Sequence, residues 1–98
     1  MILVRDVFKL KIGKAKEAKA LWKEGAELAR KFDMPWGRAL TDLTGPYYTF
    51  VSESMHKNLA EWEASGNNPK GAEEWGKWYA KFAPLLDGGH REIFTVVE

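Results

Sequence analysis

The sequence predicts an α+β domain in which four strands form one antiparallel sheet and the helices cover one of its faces. Two observations carry this. The apolar period switches between two and about 3.6 residues in the order strand, helix, strand, strand, helix, strand. The predicted strands also carry apolar residues on both faces, which one layer of helices cannot cover. The chain of 98 residues is read as one domain spanning 1–98. It is small enough that a partner subunit would help bury its surface.

Ile2 to Lys11 alternates, with Ile2, Val4, Phe8 and Leu10 on one side and Leu3, Arg5, Val7 and Lys9 on the other. Gly13 punctuates it. From Lys14 to Phe32, Ala18, Leu21, Trp22, Gly25, Leu28, Ala29 and Phe32 recur at helical spacing, and Pro35 stops that helix. Trp36 to Leu43 and Tyr47 to Glu53 read as an antiparallel hairpin about the turn Thr44-Gly45-Pro46. Ser54 is the expected N-cap of a helical stretch in which Met55, Leu59 and Trp62 share a face. Gly66-Asn67-Asn68-Pro69 interrupts it, and Asn68 is expected to cap a new helix with Pro69 at its first position. Trp75, Trp78, Tyr79 and Phe82 then form an aromatic stripe directed at the sheet. Pro84 closes that helix, Asp87-Gly88-Gly89 reads as a turn, and His90 to Val97 as the fourth strand. Two right-handed split β-α-β crossovers in the order βαββαβ give a ferredoxin-like sheet with the helices on one face.

The other face predicts a partner. Tyr47-Tyr48-Thr49-Phe50-Val51 and Ile93-Phe94-Thr95-Val96-Val97 place apolar atoms on both sides of the sheet, and Leu3 and Val7 do so in strand one. Left wet, such a face exceeds what monomers usually expose. A second copy laid over it gives a two-fold homodimer. Covering ~500 Å2 of apolar area per subunit is worth roughly 12 kcal/mol gross, before association costs.

Fifteen basic and fourteen acidic residues are interspersed for a net charge of +1. This pattern favours neither nucleic acid nor a membrane surface as partner. No cysteine is present, so disulfides, thiolate metal sites and a cysteine nucleophile are excluded, and a cytoplasmic location is expected. Met1-Ile2-Leu3-Val4-Arg5-Asp6 reads as no signal peptide, and no apolar run approaches the ~20 residues of a membrane span.

The βαββαβ order, the turn Thr44-Gly45-Pro46 and the passage Val51-Ser52-Glu53-Ser54-Met55-His56-Lys57-Asn58-Leu59-Ala60-Glu61-Trp62-Glu63 together carry a resemblance. Over essentially its whole length the chain resembles the NIPSNAP-type branch of the dimeric α/β-barrel superfamily. The resemblance implies the fold and the homodimer. It selects no chemistry, because the superfamily includes cofactor-independent monooxygenases, haem-degrading enzymes, chlorite dismutase-like proteins and proteins without a known reaction. That branch has no catalytic motif to carry over onto this chain.

Five tryptophans are a large aromatic load for this length. Trp75, Trp78, Tyr79 and Phe82, with Trp22 and Phe32, either pack as core or line a flat pocket between helices and sheet. Arg5, central in strand one, needs a partner. Glu92 on the neighbouring strand would provide one, or Arg5 and Arg38 would bind an anion in a cleft lined by Trp36 and Tyr48. Tyr47 and Tyr48 read more simply as strand residues, and Asp42 and Glu53 show no spacing that marks a carboxylate pair. His56 and His90 are the only histidines; each could act as a general base or a haem ligand, with His90 the weak candidate for catalysis. Their spacing is not that of a metal site. No phosphate loop, nucleophile elbow or dinucleotide fingerprint occurs, and no metal or cofactor is expected.

The expected function is a homodimeric NIPSNAP-like protein that binds a small, partly apolar molecule between helices and sheet, without an assigned reaction. The alternatives are a cofactor-independent monooxygenase of the antibiotic-biosynthesis type, with Trp78, Tyr79 or His90 near the substrate, and a structural or interaction module.

Overall fold

The computed structural model describes residues 1–67 and 69–97. Its elements are β1 (Ile2–Leu10), α1 (Ala15–Lys31), β2 (Arg38–Thr41), β3 (Thr49–His56), α2 (Leu59–Gly66), α3 (Ala72–Phe82), a 3₁₀ turn Ala83–Leu85, and β4 (Leu86–Thr95). The strands form one antiparallel sheet in the order β2-β3-β1-β4, the ferredoxin-like arrangement. No helix among the described residues is long and apolar enough to cross a membrane.

Period two decides which side chains meet the helices. Val4 and Leu10 of β1 and Phe50 of β3 are buried on that face. α1 presents Ala18, Leu21, Gly25 and Ala29 to it, and α3 presents Trp78 and Phe82. Aromatic rings fill the layer between. Trp75, Trp78 and Phe82 stack in series at 4.7 and 5.0 Å between centroids. Trp36 lies 4.3 Å from Trp22 and meets Trp75 edge-on at 5.5 Å. Phe82 meets Phe8 and Phe50 in T-shaped contacts at 5.6 and 5.8 Å. The Trp78 indole donates to the Leu21 carbonyl at 2.6 Å, tying α3 to α1. A Cβ on Gly25 would stand 2.7 Å from the Trp36 ring, so glycine there is what lets that ring reach the helix. Tyr79 departs from the expected stripe. It is 49% exposed, because Trp75, Trp78 and Phe82 already occupy the inward arc and Tyr79 is turned about 100° from Trp78.

Several boundaries differ from the sequence reading. β3 starts two residues late and continues to His56, so Ser54 is a strand residue opposite Val4 rather than a helix cap. Met55 therefore lies in the strand, away from Leu59 and Trp62. Asn58 performs the capping, its side-chain oxygen accepting the Glu61 N–H at 2.9 Å. Tyr47 and Tyr48 fall in the β2–β3 connection, with Tyr48 at φ +60°, and Asp42 accepts the Thr49 N–H at 3.0 Å. β2 shortens to four residues, because Trp36 packs with the core cluster and Gly37 lies so close to β3 that a Cβ would collide with the Glu53 carbonyl.

The proposed Asn68 cap lies outside the described residues. Pro69 does not begin α3, which starts at Ala72 after Gly71, whose left-handed backbone (φ +76°) sits against the Phe32 ring. Asp87-Gly88-Gly89 is not a turn: β4 already runs there, with Gly89 opposite Phe8. A Cβ on Gly89 would stand 2.6 Å from the Val7 carbonyl, so the glycine permits close strand contact. Val96 and Val97 lie beyond the end of β4.

Phe50 is 1% exposed and touches both Trp22 and Phe82. Phe50→Ala is expected to cost about 3–5 kcal/mol of stability, read as a lower midpoint in urea unfolding. A midpoint unchanged from wild type would contradict this packing.

Candidate functional site

The sheet face turned away from the helices carries one row of charges across all four strands. Arg38 of β2 is in register with Glu53 of β3, Glu53 with Arg5 of β1, and Arg5 with Glu92 of β4. Along the row the signs read plus, minus, plus, minus. Glu53 is clamped on both sides: Arg5 Nη2 is 2.7 Å from one carboxylate oxygen and Arg38 Nε is 2.8 Å from the other. Although its side chain is on the open face, Glu53 is only 3% exposed. Both guanidinium groups hold its carboxyl below the ordinary value of 4.5, Arg38 acting most strongly and Arg5 next, against a smaller opposing effect of burial. Arg5 also reaches Glu92 at 3.7 Å and lies 5.7 Å over the Phe94 ring. His90 Nε2 pairs with Glu92 at 3.1 Å.

Apolar rows flank the charges. Leu40, Val51 and Val7 stand in register on one side, ending at His90, and Met55, Leu3 and Phe94 on the other. Leu40, Met55 and Phe94 are among the exposed large apolar side chains.

The sheet separates residues expected to share a site. Arg5, Arg38 and His90 lie on the open face, whereas Trp36, Trp75 and Trp78 pack in the aromatic layer behind it. The two arginines and Trp36 therefore do not line one cleft. Tyr48 lines a separate cavity of about 300 Å3, with Asp42, Tyr47 and Lys19, at the start of α1. Tyr79 joins neither group. The expected Arg5–Glu92 pair is present but long; the main partner of Arg5 is Glu53, a pairing that the spacing of the sequence does not indicate. Only the register of β1 against β3 could have revealed that.

A second cavity of about 570 Å3 lies where β3 passes to α2, lined by Met1, Pro35, Met55, His56, Lys57, Glu61, Ala64 and Ser65. His56 is nearly buried there, with Nε2 2.8 Å from the Ser54 hydroxyl. On the helix side of the sheet, Arg91 pairs with Asp6 at 2.6 Å and lies over the Trp62 ring at 5.0 Å. Among the described residues, no three His, Asp or Glu side chains cluster closely enough to hold a metal ion.

Strand order, one-sided helices and the open face define a ferredoxin-like α+β domain. Solved structures agree. A NIPSNAP family protein from Agrobacterium tumefaciens superposes with a TM-score of 0.86 at 15% identity, over 99% of this chain and 86% of that one. An uncharacterized NIPSNAP domain protein from Burkholderia xenovorans gives 0.83 at 13% identity, over 99% and 95%. A proposed antibiotic biosynthesis monooxygenase from Nitrosomonas europaea gives 0.76 at 14% identity, over the full length of both chains. At such identities the likeness is one of fold. Neither a protein-family model nor a curated protein matches the sequence.

A folded-state pKa below the unfolded value means that the Glu53 carboxylate stabilises the fold at neutral pH. That contribution is lost as pH falls below about 4.5 and through the lowered value. The stability difference between wild type and Glu53→Gln is therefore expected to be largest near pH 7 and to shrink steadily on the acid side. A difference that is constant with pH in urea unfolding would contradict the clamp.

Proposed function

We propose that the protein works as a homodimer closed through the open sheet face, with no reaction assigned to it. The observation that carries this is the charge row between two apolar rows. Each charge in the row has an opposite charge beside it, so a second copy could cover the face without stranding an ion. Three strands of about eight residues and the four of β2, at about 4.8 Å spacing and about 3.3 Å rise, give a footprint of roughly 450 Å2 per copy. Two copies together bury on the order of 900 Å2, close to the bound of about 1,000 Å2 for a specific interface. Freedom from cysteine suits a reducing cytoplasm. Val51→Lys places a fifth charge beside the row. It is expected to yield a monomer with helical circular dichroism retained, measured by sedimentation equilibrium against wild type. Unchanged self-association would overturn the reading.

The cavity at the β3–α2 corner favours a second reading, in which the dimer also binds a small, partly apolar molecule there. The aromatic layer is filled by its own rings, whereas this corner is open and of ligand size. Met1, Pro35, Met55 and Ala64 supply apolar contact, and Lys57 and His56 supply polar groups. For the monooxygenase alternative, Trp78 is stacked between Trp75 and Phe82, whereas Tyr79 and His90 are exposed and lie apart from it. 1-Anilinonaphthalene-8-sulfonate, a partly apolar anion, is expected to gain fluorescence with the wild type and to lose that gain with Ala64→Trp. Equal enhancement by both would dismiss the cavity.

A further inference from the structure

We propose that the end of the sheet where the β1–α1 and β2–β3 connections meet docks on an anionic lipid surface, with Ile12, Leu43 and Tyr47 entering the headgroup layer and the lysines around them facing the lipid charge. The contact is independent of what covers the open sheet face. β1 ends at Leu10, and β3 starts at Thr49 in register with Lys9, so the two connections emerge side by side. The Leu10 N–H donates to the Tyr48 carbonyl at 2.8 Å, joining them directly. At this end three large apolar side chains stand almost wholly in water: Ile12 is 84% exposed, Leu43 98% and Tyr47 80%. Single exposed apolar residues are ordinary, but here three crown adjoining loops. Polar anchors hold those loops in place. Lys9 Nζ donates to the Tyr47 carbonyl at 2.6 Å, Thr49 Oγ1 to the Pro46 carbonyl at 2.9 Å, and the Asp42 carboxylate accepts the Thr49 N–H at 3.0 Å. Gly13 and Gly45 turn the two connections with left-handed backbone, at φ +86° and +102°, into open space. Leu43 and Tyr47 are thus fixed outward rather than folded back on the core.

Positive charge gathers at the same end. Lys9, Lys11, Lys14, Lys16 and Lys19 run from the end of β1 into the second turn of α1, all exposed, against Glu17, Asp42 and Asp87. Glu17 pairs with Lys14 at 3.6 Å, and Asp42 is engaged by the Thr49 N–H. Lys11, Lys16 and Lys19 have no ion pair among the described residues. The other ten bases of the chain face eleven acids, so this tip is the basic end of the molecule. Along the sequence the two signs look evenly mixed. The fold sorts them, carrying Glu24 and Glu27 further along α1, where they pair with Lys81 and Arg30. Aliphatic tips beside lysines suit a headgroup layer, which offers anions at its surface and acyl chain just beneath. An exposed tyrosine suits the same boundary, its ring apolar and its hydroxyl wet. A nucleic acid would use the lysines but has no place for Ile12 and Leu43, since bases stack on aromatic rings. Peripheral contact of this kind needs no membrane-spanning helix.

Sedimentation of the full chain with phospholipid vesicles tests this. Vesicles of phosphatidylcholine with about 30% phosphatidylserine are expected to carry the protein down, and vesicles of phosphatidylcholine alone to leave it in solution. Raising the salt from about 0.1 M to about 1 M shortens the Debye length from about 10 Å to about 3 Å and should release it. Leu43→Ser is expected to weaken binding by about tenfold. Lys11→Gln and Lys16→Gln should each weaken it by about fivefold, while Lys77→Gln on α3 leaves it unchanged. Each of these side chains is exposed, so the urea midpoint should stay at the wild-type value. Absence of binding to the anionic vesicles, or equal binding to both kinds, would overturn the proposal. So would a Leu43→Ser variant that binds as tightly as wild type, or one that loses self-association while still binding vesicles. Binding of the wild type to a single-stranded oligonucleotide, with none to vesicles, would overturn it in favour of nucleic acid.

Discussion

A carboxylate held between two guanidinium groups organises the open face of this sheet. Glu53 could not be so withdrawn from water without Arg5 and Arg38 beside it. All three side chains stand on the same side of the sheet because their strands are in antiparallel register. That register in turn holds Leu40, Val51 and Val7 in one apolar row and Met55, Leu3 and Phe94 in another. The face is therefore neither a normal solvated surface nor a core. It is an apolar surface crossed by a neutralised band, a composition that suits contact with another copy of the same face.

On the opposite side the problem is one of volume. Trp22, Trp36, Trp75 and Trp78 are too large to fit beneath two helices unless the backbone gives way somewhere. It does so at Gly25, where the Trp36 ring passes against α1. Among the described residues, Trp36 Nε1 is buried without a hydrogen-bond partner, at a cost of about 1–3 kcal/mol. The rest of the layer is close-packed aromatic contact, and the two cavities described above lie outside it, beside Tyr48 and beside His56.

The alternation of β1 and the helical spacing of α1 were legible in the sequence, because each has a long run with one period. So was the ferredoxin-like order, since six elements separated by Gly and Pro leave few ways to form one sheet. Shorter signals misled. Ser54 looks like a helix cap, yet its pairing with Val4 of β1 places it in an extended strand, and the capping passes to Asn58 four residues on. Gly88 and Gly89 look like a turn, yet both lie in β4, where the close approach of Gly89 to the Val7 carbonyl and the positive φ of Gly88 call for glycine as much as a turn does. The candidate residues were split across the sheet for a related reason. Periodicity assigns a residue to a face only when the strand boundary is known, and Trp36 stands just before β2 begins. The central position of Arg5 calls for an anion, but Glu92 and Glu53 are both in register with it. The choice between them depended on side-chain reach.

The central claim is that the open face is covered by a second copy, and the mass of the untagged protein in solution addresses it most directly. A native mass spectrum at low micromolar concentration should show twice the 11.2 kDa chain mass. A species at the single-chain mass, with the fold intact by circular dichroism, would mean that the charge row and its apolar flanks stand in water, and the account of that face would fail.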